Sequence, residues 1–295
     1  MFRDFIDQLR CPMCDKDLKI SRVDQEADEI IEGVLACCND HEWRIHEGVL
    51  DFNSEEQTQG NNWTDMYKDY GYLELDDHIM SQVPEVQKKG YYVAFDYMMD
   101  QVARGGHKTI LDIATGRGML LTQLVKKRGA DLSYVCVDLS HTVLKYDRLK
   151  CLMIDPQVRI NYIACDATNL PLKADAVDLS VSYCGIQNMG SYAPAGIEEG
   201  QRVARAGLIN LGVTLADDNP KLPGLEQMIK DQGFDFDLRA ATNSGFMAQH
   251  QSNKNLVDMV HVYEGIGVES DQDLIPVGGE WFALTAVHAR DKEDA

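Results

Sequence analysis

Hydrophobic positions along the chain fall into three regimes. Residues 1–52 carry short apolar runs of strand length, broken by charged and Cys-containing turns, and read as a small unit of short strands. Residues 53–63, Asn-Ser-Glu-Glu-Gln-Thr-Gln-Gly-Asn-Asn-Trp, are polar and contain glycine, which opens a linker and lead-in segment over 53–84. Tyr91, Phe95, Met98, Met99 and Val102 then recur at i, i+4, i+7, i+8 and i+11, the period of a helix with one buried face, and Gly105-Gly106 ends it. From Lys108 the period switches repeatedly between strand and helix. Strands are predicted at 109–113, 132–138, 159–164, 177–183, 208–214 and 281–289, and helices at 119–127, 140–151, 197–204 and 225–232. The strands are nearly continuous apolar runs, so the fold class is α/β, a Rossmann-like sheet with helices on both faces. Residues 233–256 fit neither period and read as an insertion between late elements, a candidate lid.

Composition narrows the picture. A chain of 295 residues, 44% hydrophobic, can bury one large domain, 85–295, beside a small N-terminal module. A net charge of −20 repels phosphate backbones and disfavours nucleic acid as a partner. Met1–Arg10 does not resemble a signal peptide, and no apolar run approaches the roughly 18 residues of a membrane span. Cys11, Cys14, Cys37 and Cys38 cluster near the N-terminus, whereas Cys136, Cys151, Cys165 and Cys184 sit singly in apolar stretches. That division points to a reducing cytoplasm, with thiolates used for metal rather than for disulfides.

Candidate chemistry begins at Ile110-Leu-Asp-Ile-Ala-Thr-Gly-Arg-Gly118. A strand enters, a turn of small residues follows and a helix leaves. Gly116 and Gly118 let a ligand approach the backbone, and Ala114 and Thr115 complete the turn. Asp112, at the strand end, would repel a pyrophosphate and attract an ammonium group. S-adenosylmethionine (SAM), which carries an ammonium and a sulfonium, therefore suits this loop better than a dinucleotide does. Asp138 ends the next strand about 20 residues later, where a carboxylate can accept both ribose hydroxyls, with Leu139 beside it. Asp166, followed by Ala167, ends the third strand and is placed to reach an adenine amino group. A Gly-x-Gly turn alone is weak evidence. The three acidic strand ends at these spacings carry the case.

With these motifs the chain resembles the class I SAM-dependent methyltransferases over roughly residues 85–290. Leu111–Gly118 is similar to the family's first motif, Cys136–Ser140 to its second and Cys165–Ala167 to its third. Leu170–Leu179 resembles the run into the fourth strand, and Gln201–Gly207 the turn before the fifth. The family's first loop glycine is Ala114 here, a departure that binding is expected to survive. The resemblance implies a methyl transfer from SAM and leaves the acceptor open.

Cys11-Pro-Met-Cys14 and Cys37-Cys38-Asn-Asp-His41 form two ligand pairs suited to tetrahedral zinc. The preferred set is Cys11, Cys14, Cys37 and His41, with Cys38 or His46 as alternatives. His41 is favoured because the stretch resembles the N-terminal zinc ribbon of bacterial rRNA guanine-N1 methyltransferases, Trp43 and Gly48-Val49-Leu50 included. Four protein ligands make the site structural. So small a unit is expected to draw much of its folding energy from the metal. Residues 1–51 hold six basic against thirteen acidic residues, a poor phosphate clamp. Packing on the catalytic domain, shaping the acceptor pocket or forming a homodimer are the expected roles.

No catalytic residue is assigned, because in-line methyl transfer chiefly needs alignment and exclusion of water. Tyr183–Met189 follows the fourth strand and resembles the corresponding run of quinone-biosynthesis methyltransferases. Tyr183, beside the cofactor, and Gln187 are the substrate candidates, with His141 and Tyr91-Tyr92 behind them. Cys184 has no cationic neighbour in sequence and reads as an ordinary buried thiol. The expected function is a SAM-dependent methyltransferase acting on a small or medium organic acceptor. The alternatives are an rRNA or tRNA base methyltransferase that docks through the ribbon, and a non-catalytic partner protein on the same fold.

Overall fold

The computed structural model describes residues 1–25, 27–53, 62–231, 238–251, 255–269 and 278–291. Residues 54–61 of the predicted linker, and 233–237 and 252–254 of the predicted insertion, lie outside them. The N-terminal module supplies β1 (Lys19–Val23), β2 (Gly33–Ala36), β3 (Glu42–His46) and β4 (Val49–Asp51). Three lead-in helices follow, α1 (Asn62–Asp69), α2 (Glu74–Gln82) and α3 (Glu85–Arg104). Next come β5 (Thr109–Ile113), α4 (Met119–Arg128), β6 (Ser133–Asp138), α5 (His141–Ile154), β7 (Arg159–Ala164) and β8 (Leu179–Tyr183). The chain closes with α6 (Ala193–Arg202), β9 (Leu208–Leu215), α7 (Leu222–Asp231), α8 (Asn243–His250), β10 (Asn255–Ile266) and β11 (Trp281–Asp291).

All the strands join one sheet in the order β1-β2-β3-β4-β7-β6-β5-β8-β9-β11-β10. From β7 to β9 the strands are parallel, and β11 runs antiparallel between β9 and β10. Alternate residues of each central strand face opposite layers, so both faces must be apolar. Leu111, Ile113, Val135, Val137 and Ile163 enter one core, while Ile110, Tyr134, Cys136 and Tyr162 enter the other beneath α3, α4 and α5. Ser140 caps α5 by accepting the Val143 N–H at 3.2 Å. Lys126, Lys127 and Arg128 occupy the last turn of α4, where cations complement the helix dipole. Among the described residues no helix is long and apolar enough to cross a membrane.

The N-terminal module does not stand on a core of its own. β4 pairs in parallel with β7, Val49 opposite Tyr162 and Asp51 opposite Ala164. Met1, Phe5, Leu9, Leu35, Ile45, Leu50 and Phe52 share a core with Leu111, Val135 and Ile163. This corrects the expectation that metal must supply much of the module's folding energy, since apolar burial against the main sheet contributes too.

Within 233–256, where neither period was read, the structure forms a 3-10 turn at Leu238–Ala241, then α8, then the start of β10. Thr242 caps α8 through the Gly245 N–H at 3.2 Å, and Phe246 is buried. The pattern misses β10 because it is an edge strand whose polar and apolar residues mix. Only antiparallel pairing with β11 from Asn255↔Asp291 to Ile266↔Trp281 defines it.

Candidate functional site

The parallel strand order reverses between β5 and β8, the crevice where open α/β sheets bind ligands. The glycine loop leaves β5 at this point. Gly116 and Gly118 have φ of 55° and 67°, left-handed values that favour glycine. Ala114 also sits at φ 53°, so the substitution noted in the sequence carries backbone strain of roughly 1–2 kcal/mol. Gly185, after β8, lies against this turn. A Cβ there would come within 2.2 Å of the Ala114 carbonyl oxygen, so only glycine lets the two strand ends meet. No sequence signal marked Gly185, because its partner is remote in the chain.

Asp112 is 3% exposed. Its Oδ2 accepts the Thr115 hydroxyl at 2.9 Å, while its buried Oδ1 has no partner among the described residues. Burial pushes the carboxyl up to about 7, offset in part by Thr115 and reinforced by Asp138. A buried acceptor left open at a switch point is a place for a ligand donor.

Asp138 ends β6 and accepts the Gly116 N–H on Oδ2 and the Ser140 N–H on Oδ1, each at 3.0 Å. Each oxygen keeps a second lone pair, enough for two vicinal hydroxyls. Burial also raises this carboxyl, and the N–H donors oppose the rise. Asp166 is exposed just beyond β7, and its Oδ1 takes both the Thr168 N–H (2.8 Å) and hydroxyl (2.7 Å). Leu139 is 42% exposed and Ala167 is buried beside these carboxylates along the strand ends. The structure thus places the Asp112–Thr115 and Asp138–Gly116 hydrogen bonds side by side in one turn, with Asp166 just beyond the neighbouring strand.

A buried charge network under the loop escaped sequence reading. Lys150 of α5 donates to the Arg117 carbonyl (2.6 Å), to Tyr67 of α1 (3.0 Å) and to Asp76 of α2 (3.1 Å). It lies 3.1 Å from Asp147, which is fully buried. Arg117 itself, 7% exposed, reaches Asp76 at 2.8 Å. Burial pushes the Asp147 carboxyl up, partly offset by Lys150. Burial opposes the Lys150 ammonium, but Asp147, Tyr67 and Asp76 outweigh it and keep it charged. The network ties α1 and α2 to the loop. Asp147 also lies where a Cβ on Gly118 would fall, at 2.9 Å.

At the end of β8, the Tyr183 ring stacks on Phe95 at 4.6 Å and its hydroxyl donates to the Tyr91 carbonyl at 3.2 Å. Tyr92 is 54% exposed. Gln187 is 4% exposed, and its amide is spent on backbone. It donates to Val213 and Ala240 (2.6 and 2.7 Å) and accepts from Val213 (2.9 Å). Those bonds occupy both amide N–H directions and one lone pair of its oxygen. His141 faces the N-terminal module, its Nε2 3.1 Å from the His46 carbonyl. Burial pushes the Cys184 thiol up to about 12, which leaves it inert.

In the module, the ligand atoms of Cys11, Cys14, Cys37 and His41 lie within 4.8 Å of one another. Cys11 Sγ is 3.4 Å from His41 Nδ1, and Cys14 Sγ is 3.6 Å from Cys37 Sγ. Zinc bonds of roughly 2.0–2.3 Å place tetrahedral ligands about 3.5–3.8 Å apart, so the set fits. The two alternatives fall outside it. Cys38 is exposed, its Sγ near the Asn39 side chain, and His46 is held by Glu32 at 2.9 Å.

Residues 110–207 match a family described as a methyltransferase domain. A ubiquinone/menaquinone biosynthesis C-methyltransferase of Dinoroseobacter shibae is 30% identical over 112 residues, 38% of this chain and 44% of that protein. Its counterpart from Stenotrophomonas maltophilia is 27% identical over 164 residues, 55% of this chain and 61% of that one. The chain thus spans about half the length of these curated relatives. The solved MccD protein superposes with a TM-score of 0.50 at 16% identity, covering 66% of this chain and 96% of that one, and shares the fold.

Proposed function

We propose that this chain is a SAM-dependent methyltransferase whose acceptor is a small or medium organic molecule. The observation that carries it is the open Oδ1 of buried Asp112 at the switch point, beside the paired strand-end carboxylate Asp138. A ligand with an ammonium at one end and a ribose beyond it satisfies both. Bound SAM supplies a methyl group on a sulfonium, ready for in-line displacement. Asp112 then holds the ammonium, Asp138 the ribose hydroxyls, and Asp166 an amino group of the base. The lead-in helices α1 and α2, locked by Lys150 and Arg117, help to exclude water. Asp138→Ala is expected to weaken SAM binding about ten- to hundredfold in calorimetry. Unchanged affinity would place the site elsewhere.

The quinone-biosynthesis C-methyltransferase activity of the relatives supports an organic acceptor. So do the aromatic groups Tyr91, Phe95 and Tyr183 beside the β8 end. Charge argues against RNA, since 28 basic residues face 48 acidic ones and the Lys126–Arg128 run lies at the end of α4 remote from the glycine loop. The deciding measurement is a titration with total RNA at low and moderate salt alongside a labelled-methyl assay. The RNA reading is promoted if binding is submicromolar and salt-sensitive and label enters rRNA or tRNA.

Cys11, Cys14, Cys37 and His41 would hold one structural zinc, with all four positions filled by protein. Metal analysis of protein purified without chelator is expected to give about one zinc per chain, lost in Cys14→Ser. Because the module shares the main core, that variant should loosen the module without unfolding the chain. Metal-free protein would dismiss the assignment.

A further inference from the structure

Two loops far apart in sequence meet at the edge of the cofactor crevice. One is the Cys11–Cys14 knuckle. The other is the segment from Asp166 to Lys173, which follows β7 and carries the carboxylate proposed above to hold the base. Arg10 stands at their junction, directly before Cys11. Its Nε donates to the Leu170 and Leu172 carbonyls at 3.1 Å each, and its Nη2 donates to Asn169 Oδ1 at 2.8 Å. Its Nη1 pairs with Asp15, the residue after Cys14, and its Nη2 lies 3.4 Å from Glu199. The backbone joins too, since Arg10 N–H donates to the Pro171 carbonyl (3.0 Å) and Lys173 N–H to the Gln8 carbonyl (2.9 Å).

The loop answers in kind. Asn169 Nδ2 donates to the Pro12 carbonyl inside the knuckle at 3.3 Å. The Asn169 N–H donates to the Asp166 carbonyl at 3.1 Å and so closes the turn that presents Asp166. Glu199 accepts the Leu170 N–H at 2.7 Å, and Arg202 braces the same two carbonyls that Arg10 holds. Arg10 is 18% exposed at its side chain, its bonds to the Leu170 and Leu172 carbonyls are part-buried, and its bond to Asn169 lies at the surface. The guanidinium reaches the two carbonyls and the amide oxygen from separate nitrogens of a rigid planar fork, a geometry that a lysine, with its donors on one nitrogen, does not reproduce.

We infer that Arg10 is a positioning residue for base recognition: through Asn169 and the Leu170–Leu172 carbonyls it sets the turn that presents Asp166, and so couples the cysteine knuckle to the adenine end of the cofactor site. This rests on the SAM reading above. It gives the N-terminal module a role inside the catalytic unit.

The test compares two ligands that differ only in the base edge, S-adenosylhomocysteine and its hypoxanthine analogue, which lacks the 6-amino donor. Wild-type protein is expected to prefer the adenine ligand about tenfold or more, because the carboxylate loses its hydrogen-bond donor with the analogue. In Arg10→Ala and Asn169→Ala the preference should shrink to within about threefold, through loss of adenine-ligand affinity alone. Arg10→Lys should behave like Arg10→Ala. General loosening would instead weaken both ligands equally and keep the ratio. An unchanged ratio in either folded variant overturns the inference. Asn169 is exposed, so its variant decides the matter if Arg10→Ala does not fold. Failure of wild-type protein to bind the adenine ligand at all would instead overturn the SAM reading. Binding without preference would remove Asp166 from base recognition, and Arg10 with it.

Discussion

Lys150→Met is expected to lower the unfolding free energy by about 3–5 kcal/mol, the range for breaking one side of a buried ion pair. Methionine keeps the side-chain volume but leaves Asp147 fully buried without its cation. It also frees Asp76, the Tyr67 hydroxyl and the Arg117 carbonyl from their shared donor. Combining it with Asp147→Asn should cost at least 1 kcal/mol less than the two single losses added together, since both changes act on one network. Urea titrations of the four proteins measure this. A loss below 1 kcal/mol for Lys150→Met would mean that the network is ornamental. Because Lys150 also holds α1 and α2 to the glycine loop, the folded fraction of the variant should bind SAM more weakly.

SAM affinity should fall as the solution is made acidic through about pH 7, and Asp112 is the reason. In the free site burial raises this carboxyl to about 7, so it is partly protonated near neutrality. Pairing with an ammonium favours the carboxylate, so binding expels a proton. Affinity then falls by at most about tenfold per pH unit below 7. The ligand's own amino group loses its proton above about 8, which places the maximum between the two. The ligand-free fold has the opposite slope. A carboxyl raised from about 4 in the unfolded chain to about 7 stabilises the fold at acid pH, and that contribution is lost as pH rises through about 7. The melting shift given by SAM should therefore grow from pH 5.5 to 7.5. Asp112→Asn should flatten the dependence and cost about 2–5 kcal/mol of binding, as for truncation of a buried charge pair. Calorimetry in buffers of different ionisation enthalpy reads the proton release directly. Equal affinity at pH 5.5 and 7.5 would show that no carboxylate meets the ammonium.

The parts of the site that were legible in the sequence are those whose chemistry is written within one turn of chain. Asp112, Gly116 and Gly118 follow one strand. Asp138 and Asp166 each end another, and the alternation of strand and helix places all three on one sheet edge. The cysteine knuckle and the Cys37–His41 pair are likewise local spacings, and the fold had only to bring them within 4.8 Å. Tertiary structure decided the rest. Lys150, Tyr67, Asp76 and Arg117 look like ordinary surface residues in sequence, and only the packing of α1 and α2 on α5 turns them into a buried network. The bonds of the Gln187 amide to β9 and to the turn at 238–241 likewise come from tertiary packing. β4 read as part of a separate ribbon until it paired with β7 and gave the module a share of the main core. Arg10 acquires its meaning from residues about 160 positions away. Periodicity reports which face of an element is apolar, but not which distant element will cover it. Contacts of that range are set by burial and by the pairing of polar groups that burial strands, which no local pattern records.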